Sequence, residues 1–251
     1  MINDTFANGN SIIHRIDPQY RILFAAFFSS VIAVAKDIPT LILALVISAI
    51  ILGIARLDYQ LVAKRIIVVS GFVFLIWLVV PVTYESEHVF RLGPIPFYRE
   101  GLRLSAQITL KSFAIYLAIL ALVSTISVTN MGYALNHLGL PNKMVFLLMM
   151  TYRYFSVIEQ EYQRLRRAIK IRAFRPKTDI HTYRTYAYLI GMLFVRASNR
   201  AARVYNAMKC RGFKGTFYTF HEFPPHRRNT IFSAVMGCVI LCIVILEWGI
   251  C

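Results

Sequence analysis

Residues 142–173 read NKMVFLLMMTYRYFSVIEQEYQRLRRAIKIRA, and residues 181–212 read HTYRTYAYLIGMLFVRASNRAARVYNAMKCRG. Each stretch predicts one long helix that closes on an arginine-centred step, Ile171-Arg172-Ala173 in the first and Cys210-Arg211-Gly212 in the second. The polar segment around them, residues 129–229, contains 18 of the 28 lysines and arginines but only four acids, so it carries +14 of the formal net charge of +16. We expect this segment to meet another protein.

The rest of the chain is strongly apolar. Hydrophobic residues make up 57% of the sequence and the mean hydropathy is +0.57, which indicates an all-α membrane protein with about five transmembrane helices. The expected spans are residues 22–35, 41–55, 66–82, a stretch within 104–128, and 230–250. Residues 1–128 therefore form an N-terminal lead with four spans, residues 129–229 form a unit of two long crossed amphipathic helices and a short one, and residues 230–251 form the last span.

The charge pattern sets the orientation. With the N-terminus inside the cell, the short inner connections contain five lysines and arginines and the short outer ones four, and the basic segment then also lies inside. Basic composition could equally serve anionic lipid or nucleic acid, but a nucleic-acid protein would leave the apolar spans unexplained. We therefore expect a multi-pass membrane protein that lies in the lipid bilayer and binds no nucleic acid.

Local patterns predict how the long helices begin, cross and end. In the first, an apolar stripe steps by three and four residues from Phe155 to Ile169. In the second, small and apolar residues form a ridge that lets two helix backbones cross closely: Ala197, Ala201, Val204 and Met208. Gly212 suits a left-handed helix terminator. Asp17 before Pro18 is expected to cap the first helix of the chain.

The two arginines admit two readings. A cation at a helix C-terminus is favoured by the helix dipole, and small flanks let its guanidinium enter a groove and bind a carboxylate through two hydrogen bonds. By spacing alone, however, the pattern favours ordinary arginines on solvated helix ends for Arg172 and Arg211.

Motifs for catalysis and metal binding do not emerge. The sequence has no Gly-x-x-x-x-Gly-Lys-Ser/Thr loop for ATP, no Gly-x-Ser-x-Gly and no His-Glu-x-x-His. Glu85, Glu87 and His88 group metal-ligand types, but a solvated outer loop is the expected reading. We predict no catalytic residue, no metal site and no cofactor bound by this chain.

Four motifs resemble those of one family, the transmembrane T component of energy-coupling-factor (ECF) transporters, and most closely its cobalt-type branch, CbiQ. They are His14-Arg15-Ile16-Asp17-Pro18, Leu138-Gly139-Leu140-Pro141, Thr151-Tyr152-Arg153-Tyr154 and the stretch from Arg203 to Gly215, RVYNAMKCRGFKG. The resemblance covers nearly the whole chain. It departs from the family pattern at Gln19, where arginine is usual, and at Ile171 and Cys210, where alanine is usual.

The resemblance implies a function for the long helices. In that family, two crossed cytoplasmic helices dock their terminal arginines into two ATP-binding-cassette ATPase subunits, which bind ATP and magnesium. These roles fall here to Arg172 and Arg211, with their neighbours Ile171, Ala173, Cys210 and Gly212. A substrate-binding membrane S component is the other partner, and the implied substrate is cobalt for cobalamin biosynthesis. Nickel or a vitamin remains an alternative, as does a membrane scaffold that recruits cytoplasmic proteins without transport.

Overall fold

A computed structural model of the chain describes residues 11, 13–83, 89–92, 95–214 and 227–249. Its described part is helical apart from a short 3-10 turn at Ile13–Arg15 and one antiparallel hairpin of β1 (Val89–Leu92) and β2 (Ile95–Tyr98). The helices are α1 (Pro18–Val34), α2 (Ile38–Ala55), α3 (Tyr59–Thr83), α4 (Arg99–Leu122), α5 (Val128–His137), α6 (Asn142–Ile171), α7 (Ile180–Cys210) and α8 (Arg227–Gly249).

The all-α prediction is confirmed, but the number of spans differs. Within the described residues, α2, α3, α4 and α8 are long and apolar enough to cross a membrane. The predicted first span is α1, an apolar helix of 17 residues that falls at the short end of what a bilayer needs. Because Lys36 and Asp37 follow directly, α1 cannot extend further without carrying charge into the bilayer. The described residues therefore contain four candidate spans, and α1 as a fifth stays a prediction.

Contacts divide the described residues into two compact units. One consists of residues 11–134 and 227–249 and is called here the membrane unit; the other consists of residues 135–214 and is called the coupling unit. The chain passes from the first to the second within α5. The boundaries expected from the sequence, at residues 128/129 and 229/230, lie close to this division and stay predictions.

Small residues on α4 organise the core of the membrane unit. Ala114, Ala118 and Ala121 are fully buried, and helices α1, α2 and α3 all pack on α4. Small side chains at a crossing let helix backbones approach closely, which is how helices associate where water supplies no driving force. The two apolar clusters of this unit are completed by large residues from α1, α2 and α8, among them Phe28, Ile32, Leu41 and Ile243.

Gly101 marks the closest approach between α3 and α4. A β-carbon placed on Gly101 would lie 2.9 Å from the Cα of Pro81 and 3.1 Å from the carbonyl oxygen of Val80. Both are backbone atoms, which cannot rotate away. Glycine is therefore required at this position for α4 to start against the end of α3.

A buried polar group ties the start of α1 to distant parts of the membrane unit. The Asp17 carboxylate accepts a hydrogen bond from the Gln19 N–H at 3.2 Å, which confirms the predicted cap, while the Asp17 N–H donates to Oδ1 of Asn229 at 3.3 Å. Arg21, only 2% exposed, donates from Nη1 to the Thr125 hydroxyl at 2.9 Å. Polar groups removed from solvent need such partners. The Asp17–Asn229 and Arg21–Thr125 bonds therefore specify how α1 is joined to α8 and to the residues after α4.

Candidate functional site

Two helices of about 45 Å dominate the coupling unit, α6 with 30 residues and α7 with 31. Both match the bounds expected from the sequence within one residue. None of the residues of α6 is buried, and α7 buries only Thr182 and Leu189. Large apolar side chains such as Met144, Leu147 and Phe194 are more than half exposed. An apolar surface of this extent indicates an interaction surface rather than a self-sufficient domain.

The ends of α6 and α7 have the same backbone geometry. At the end of α6, the Ala173 N–H donates to the Lys170 carbonyl at 3.1 Å and the Phe174 N–H donates to the Ile169 carbonyl at 3.3 Å. At the end of α7, the Gly212 N–H donates to Lys209 at 3.0 Å and the Phe213 N–H to Met208 at 3.1 Å. These paired bonds define a Schellman motif, which satisfies the last carbonyl groups of a helix.

This motif explains the residues that flank each arginine. Arg172 and Arg211 are the C-cap residues, and the residue after each has a positive φ, +61° at Ala173 and +75° at Gly212. A left-handed position favours glycine and disfavours β-branched and bulky side chains. The small residue after each arginine is thus a backbone requirement of the helix end. The residue before it is unconstrained, since Ile171 is 86% exposed and Cys210 is also exposed.

Two phenylalanines that the sequence reasoning missed follow the caps and fix the ends of the pair. Phe174 packs edge-on against Tyr186 of α7, with ring centroids 5.9 Å apart. Phe213 packs against Phe146 of α6, with centroids 5.3 Å apart. Each helix end therefore lies beside the beginning of the other helix. The signal was present as Arg-small-Phe in both steps, at residues 172–174 and 211–213.

An ion pair joins the middle of α6 to the middle of α7. The Glu161 carboxylate bonds to Nη1 of Arg196, and Arg164 lies 3.5 Å from its other oxygen. The hydrogen bond from Arg196 lowers the pKa of Glu161, and the positive charges of Arg196, Arg164 and Arg200 lower it further against a partial loss of solvation. Glu161 therefore remains ionised at neutral pH and holds this contact. The sequence analysis did not identify this pair, because no local pattern links residues 35 positions apart.

The predicted crossing residues occupy different surroundings. Two concavities lie along the α6–α7 pair: one is beside Glu161, and the other is an apolar groove of about 520 Å³. Ala197 and Ile158 line both, so they lie where α6 and α7 come together. Ala201, Val204 and Met208 line the apolar groove, opposite Met150 and Tyr154. Ala197 is half-buried, whereas Ala201 is exposed. Val204 and Met208 are half-buried like Ala197, and all four residues line the groove between α6 and α7, so their part in a helix crossing stays a prediction.

The structure does not bring the two candidate arginines together. Arg172 lies 11 residues beyond Glu161 on α6, about 16 Å along the helix, and Arg211 lies 15 residues beyond Arg196 on α7, about 22 Å. Since each helix ends beside the start of the other, the two arginines lie at opposite ends of the pair. They form two separate contact points joined by rigid helices.

Groups for metal binding are not assembled in the part of the chain that the structure describes: no cluster of three or more His, Cys, Asp or Glu side chains occurs there. The candidate loop group of Glu85, Glu87 and His88 lies outside the described residues. The described cysteines, Cys210, Cys238 and Cys242, are free thiols.

Comparisons with known proteins match most of the chain. A family model described as "CbiQ: Cobalt transport protein" matches residues 9–221. The energy-coupling factor transporter transmembrane protein EcfT of Bacillus subtilis is 24% identical over 86% of this chain and 85% of its own length. The proteins of the same name from Exiguobacterium sibiricum and Acidaminococcus fermentans are 26% and 23% identical, over 82% and 96% of this chain and 83% and 95% of their own lengths.

Proposed function

Since the chain belongs to the CbiQ family of cobalt transport proteins, we propose that it is the coupling subunit of an ATP-driven importer, transmitting the motion of two ATPase subunits to a substrate-binding membrane subunit. The chain itself is a non-catalytic, multi-pass membrane component of a transporter. ATP and magnesium would be bound by the ATPase subunits and not by this chain.

One observation carries the proposal. Two long helices end in the same Schellman motif, and each places an exposed arginine at the cap, with Arg172 on α6 and Arg211 on α7. A guanidinium in this position can form a bidentate bond with a carboxylate in a groove of a partner. The two equivalent tips at opposite ends of one rigid pair suit two equivalent partners.

The geometry of the helix pair suits the transmission of motion. The tips lie about 16 and 22 Å along their helices from the Glu161–Arg196 contact, and Phe174 and Phe213 hold each end against the neighbouring helix. When ATP brings two ATPase subunits together, Arg172 and Arg211 would be displaced relative to each other. The helix pair would then shift around its central contact and carry that displacement toward the membrane helices.

The substrate is proposed as cobalt from the description of the family, which would place the importer upstream of cobalamin biosynthesis. The names of the relatives state no substrate, and nickel or a vitamin remains the alternative. The proposed location is a prokaryotic cytoplasmic membrane with the N-terminus and the coupling unit inside. The short connections support this orientation, because the inner ones contain five lysines and arginines and the outer ones four.

Co-purification tests the proposal directly. The chain would be co-expressed with the ATPase and membrane proteins encoded beside it and purified in detergent, as wild type, as Arg172→Glu/Arg211→Glu, and as Arg166→Glu/Arg167→Glu. The last pair is exposed on α6, five and six residues before Arg172, and controls for the change in charge. We expect the ATPase pair to be retained by wild type and the control and lost by the tip variant.

Uptake of cobalt and nickel into cells that express the complex identifies the substrate. If all three forms bind the ATPase equally, Arg172 and Arg211 are ordinary arginines on solvated helix ends and do not dock the ATPase. Capture of other cytoplasmic proteins without any ATPase would favour the scaffold.

A further inference from the structure

Next to Arg172, the connection between α6 and α7 encloses a hollow of about 470 Å³. Its lining includes the cations Arg172, Arg175 and Lys177, the imidazole of His181, and Asp179 as the single acid. We call this surface the basic hollow. None of the motifs discussed above includes Arg175, Lys177 or His181.

Several contacts hold the wall of the basic hollow in place. The Schellman motif fixes the turn at residues 172–174, and Phe174 packs on Tyr186 and on the ring of His181. The Lys177 N–H donates to the hydroxyl of the buried Thr182 at 3.1 Å. These contacts use backbone and aromatic groups, so the charged ends of Arg175 and Lys177 remain available to a partner.

The basic hollow has a net positive charge, with three basic side chains and one acid in its lining. Arg172, Arg175 and Lys177 are exposed, and no carboxylate within the described residues forms an ion pair with them. Asp179 offsets one of these charges but forms no ion pair with them; its Oδ1 accepts the Ile180 N–H at 2.8 Å and caps α7. Three cations around a concave surface create a potential that attracts a negatively charged partner.

We propose that the basic hollow binds an acidic segment of an ATPase subunit, which supplies carboxylates to Arg175 and Lys177 in addition to the one that meets Arg172. This proposal rests on the proposed function and extends it, since the contact at the α6 tip becomes a charged surface rather than a single arginine. A protein segment is favoured over a lipid headgroup because the hollow is continuous with Arg172. The expected partner segment therefore contains at least two acidic residues beside the groove for Arg172.

The test compares two pairs of exposed cations on this chain. Arg175→Gln/Lys177→Gln removes two charges from the basic hollow, and Arg166→Gln/Arg167→Gln removes two charges from the exposed face of α6. The dissociation constant of the co-expressed ATPase pair is measured for each form of the full chain in detergent, across a salt series. We expect the hollow variant to bind roughly five- to tenfold more weakly at low salt, with a shallower dependence on salt, while the control stays close to wild type.

Two further variants separate charge from structure. Arg175→Lys/Lys177→Arg keeps the charge and should restore binding, while Arg175→Glu/Lys177→Glu should weaken it beyond the neutral variant. If wild type binds the ATPase pair and the hollow variant binds as the control does, the basic hollow is not a docking surface and the proposed function stands. If the hollow variant loses only its binding to phosphatidylglycerol vesicles, the surface recognises lipid and the proposal is overturned. If wild type binds no ATPase, the proposed function itself fails.

Discussion

Replacing Ala197 with leucine tests whether the α6–α7 contact transmits motion. Ala197 is half-buried. Together with Ile158 it lines both the concavity beside Glu161 and the apolar groove between α6 and α7. Leucine adds three carbon atoms at this contact. Overpacking of a filled site costs about 1–3 kcal/mol, and because Ala197 is half-buried we expect about 1–2 kcal/mol of weakened pairing between the helices.

Two other alanines of α7 serve as matched controls. Ala201 lines the open apolar groove of about 520 Å³, so Ala201→Leu would fill existing space. Ala202 is exposed and lines neither concavity, so Ala202→Leu should change little. All three variants add the same atoms to the same helix. Any difference between them therefore reports the surroundings of each position rather than helix propensity.

The assay measures uptake of the proposed substrate, cobalt, per ATP hydrolysed by the proposed complex in proteoliposomes, alongside hydrogen exchange of the α6 and α7 amides. We expect Ala197→Leu to keep the ATPase bound, to speed exchange about five- to thirtyfold if opening is local, and to lower uptake per ATP. Uptake per ATP equal to wild type in Ala197→Leu would refute the lever mechanism. Uncoupling by Ala201→Leu instead would move the critical contact to the groove.

Three further predictions follow from single features of the structure. Gly212→Ala should destabilise the end of α7 by about 1 kcal/mol, because φ at this residue is +75° while the space around a β-carbon is open. Ala173→Gly should stabilise the end of α6 by a similar amount. Hydrogen exchange at the two caps measures both changes, and equal protection in all forms would contradict the left-handed assignment of these residues. Gly101→Ala should lower the free energy of unfolding of the membrane unit by about 1–3 kcal/mol, because the β-carbon of the alanine would meet backbone atoms at 2.9 and 3.1 Å. An unchanged melting temperature in detergent would show that α3 and α4 can separate without cost. The Glu161–Arg196 contact should be present at neutral pH and lost as pH falls through the lowered pKa of Glu161, below its ordinary value of 4.5. The protection of the α6 and α7 amides in the wild type should therefore not change with pH near neutrality. Glu161→Gln should remove the loss of this protection in acid.

The candidate site was only partly predictable from the sequence. The periodic stripe and the terminal arginines located α6 and α7 within a residue, and Gly212 was correctly expected to be left-handed. These features depend on helix periodicity and backbone sterics, which act over a few neighbouring residues. Ala173 was not expected to share this conformation, because alanine adopts it less readily than glycine and its presence there is visible only from φ.

The function of each ridge residue could not be assigned in advance. Spacing of four residues placed Ala197 and Ala201 on one face of α7, but it could not tell which of them meets α6. That depends on where the two helices cross, and the crossing is set by Glu161, Arg196 and the two phenylalanines at the ends. Such contacts join residues that no local pattern relates.

By itself, the sequence determined the class of protein, the apolar helices, the bounds of α6 and α7 and the concentration of positive charge between the last two spans. Each of these follows from composition, periodicity or local sterics. Only the tertiary structure decided that Arg21 is buried against Thr125, that Gly101 lies against the backbone of α3, and that Arg172 and Arg211 stand at opposite ends of one helix pair. The reason is physical: which distant groups become neighbours is settled by packing, after the local elements have formed.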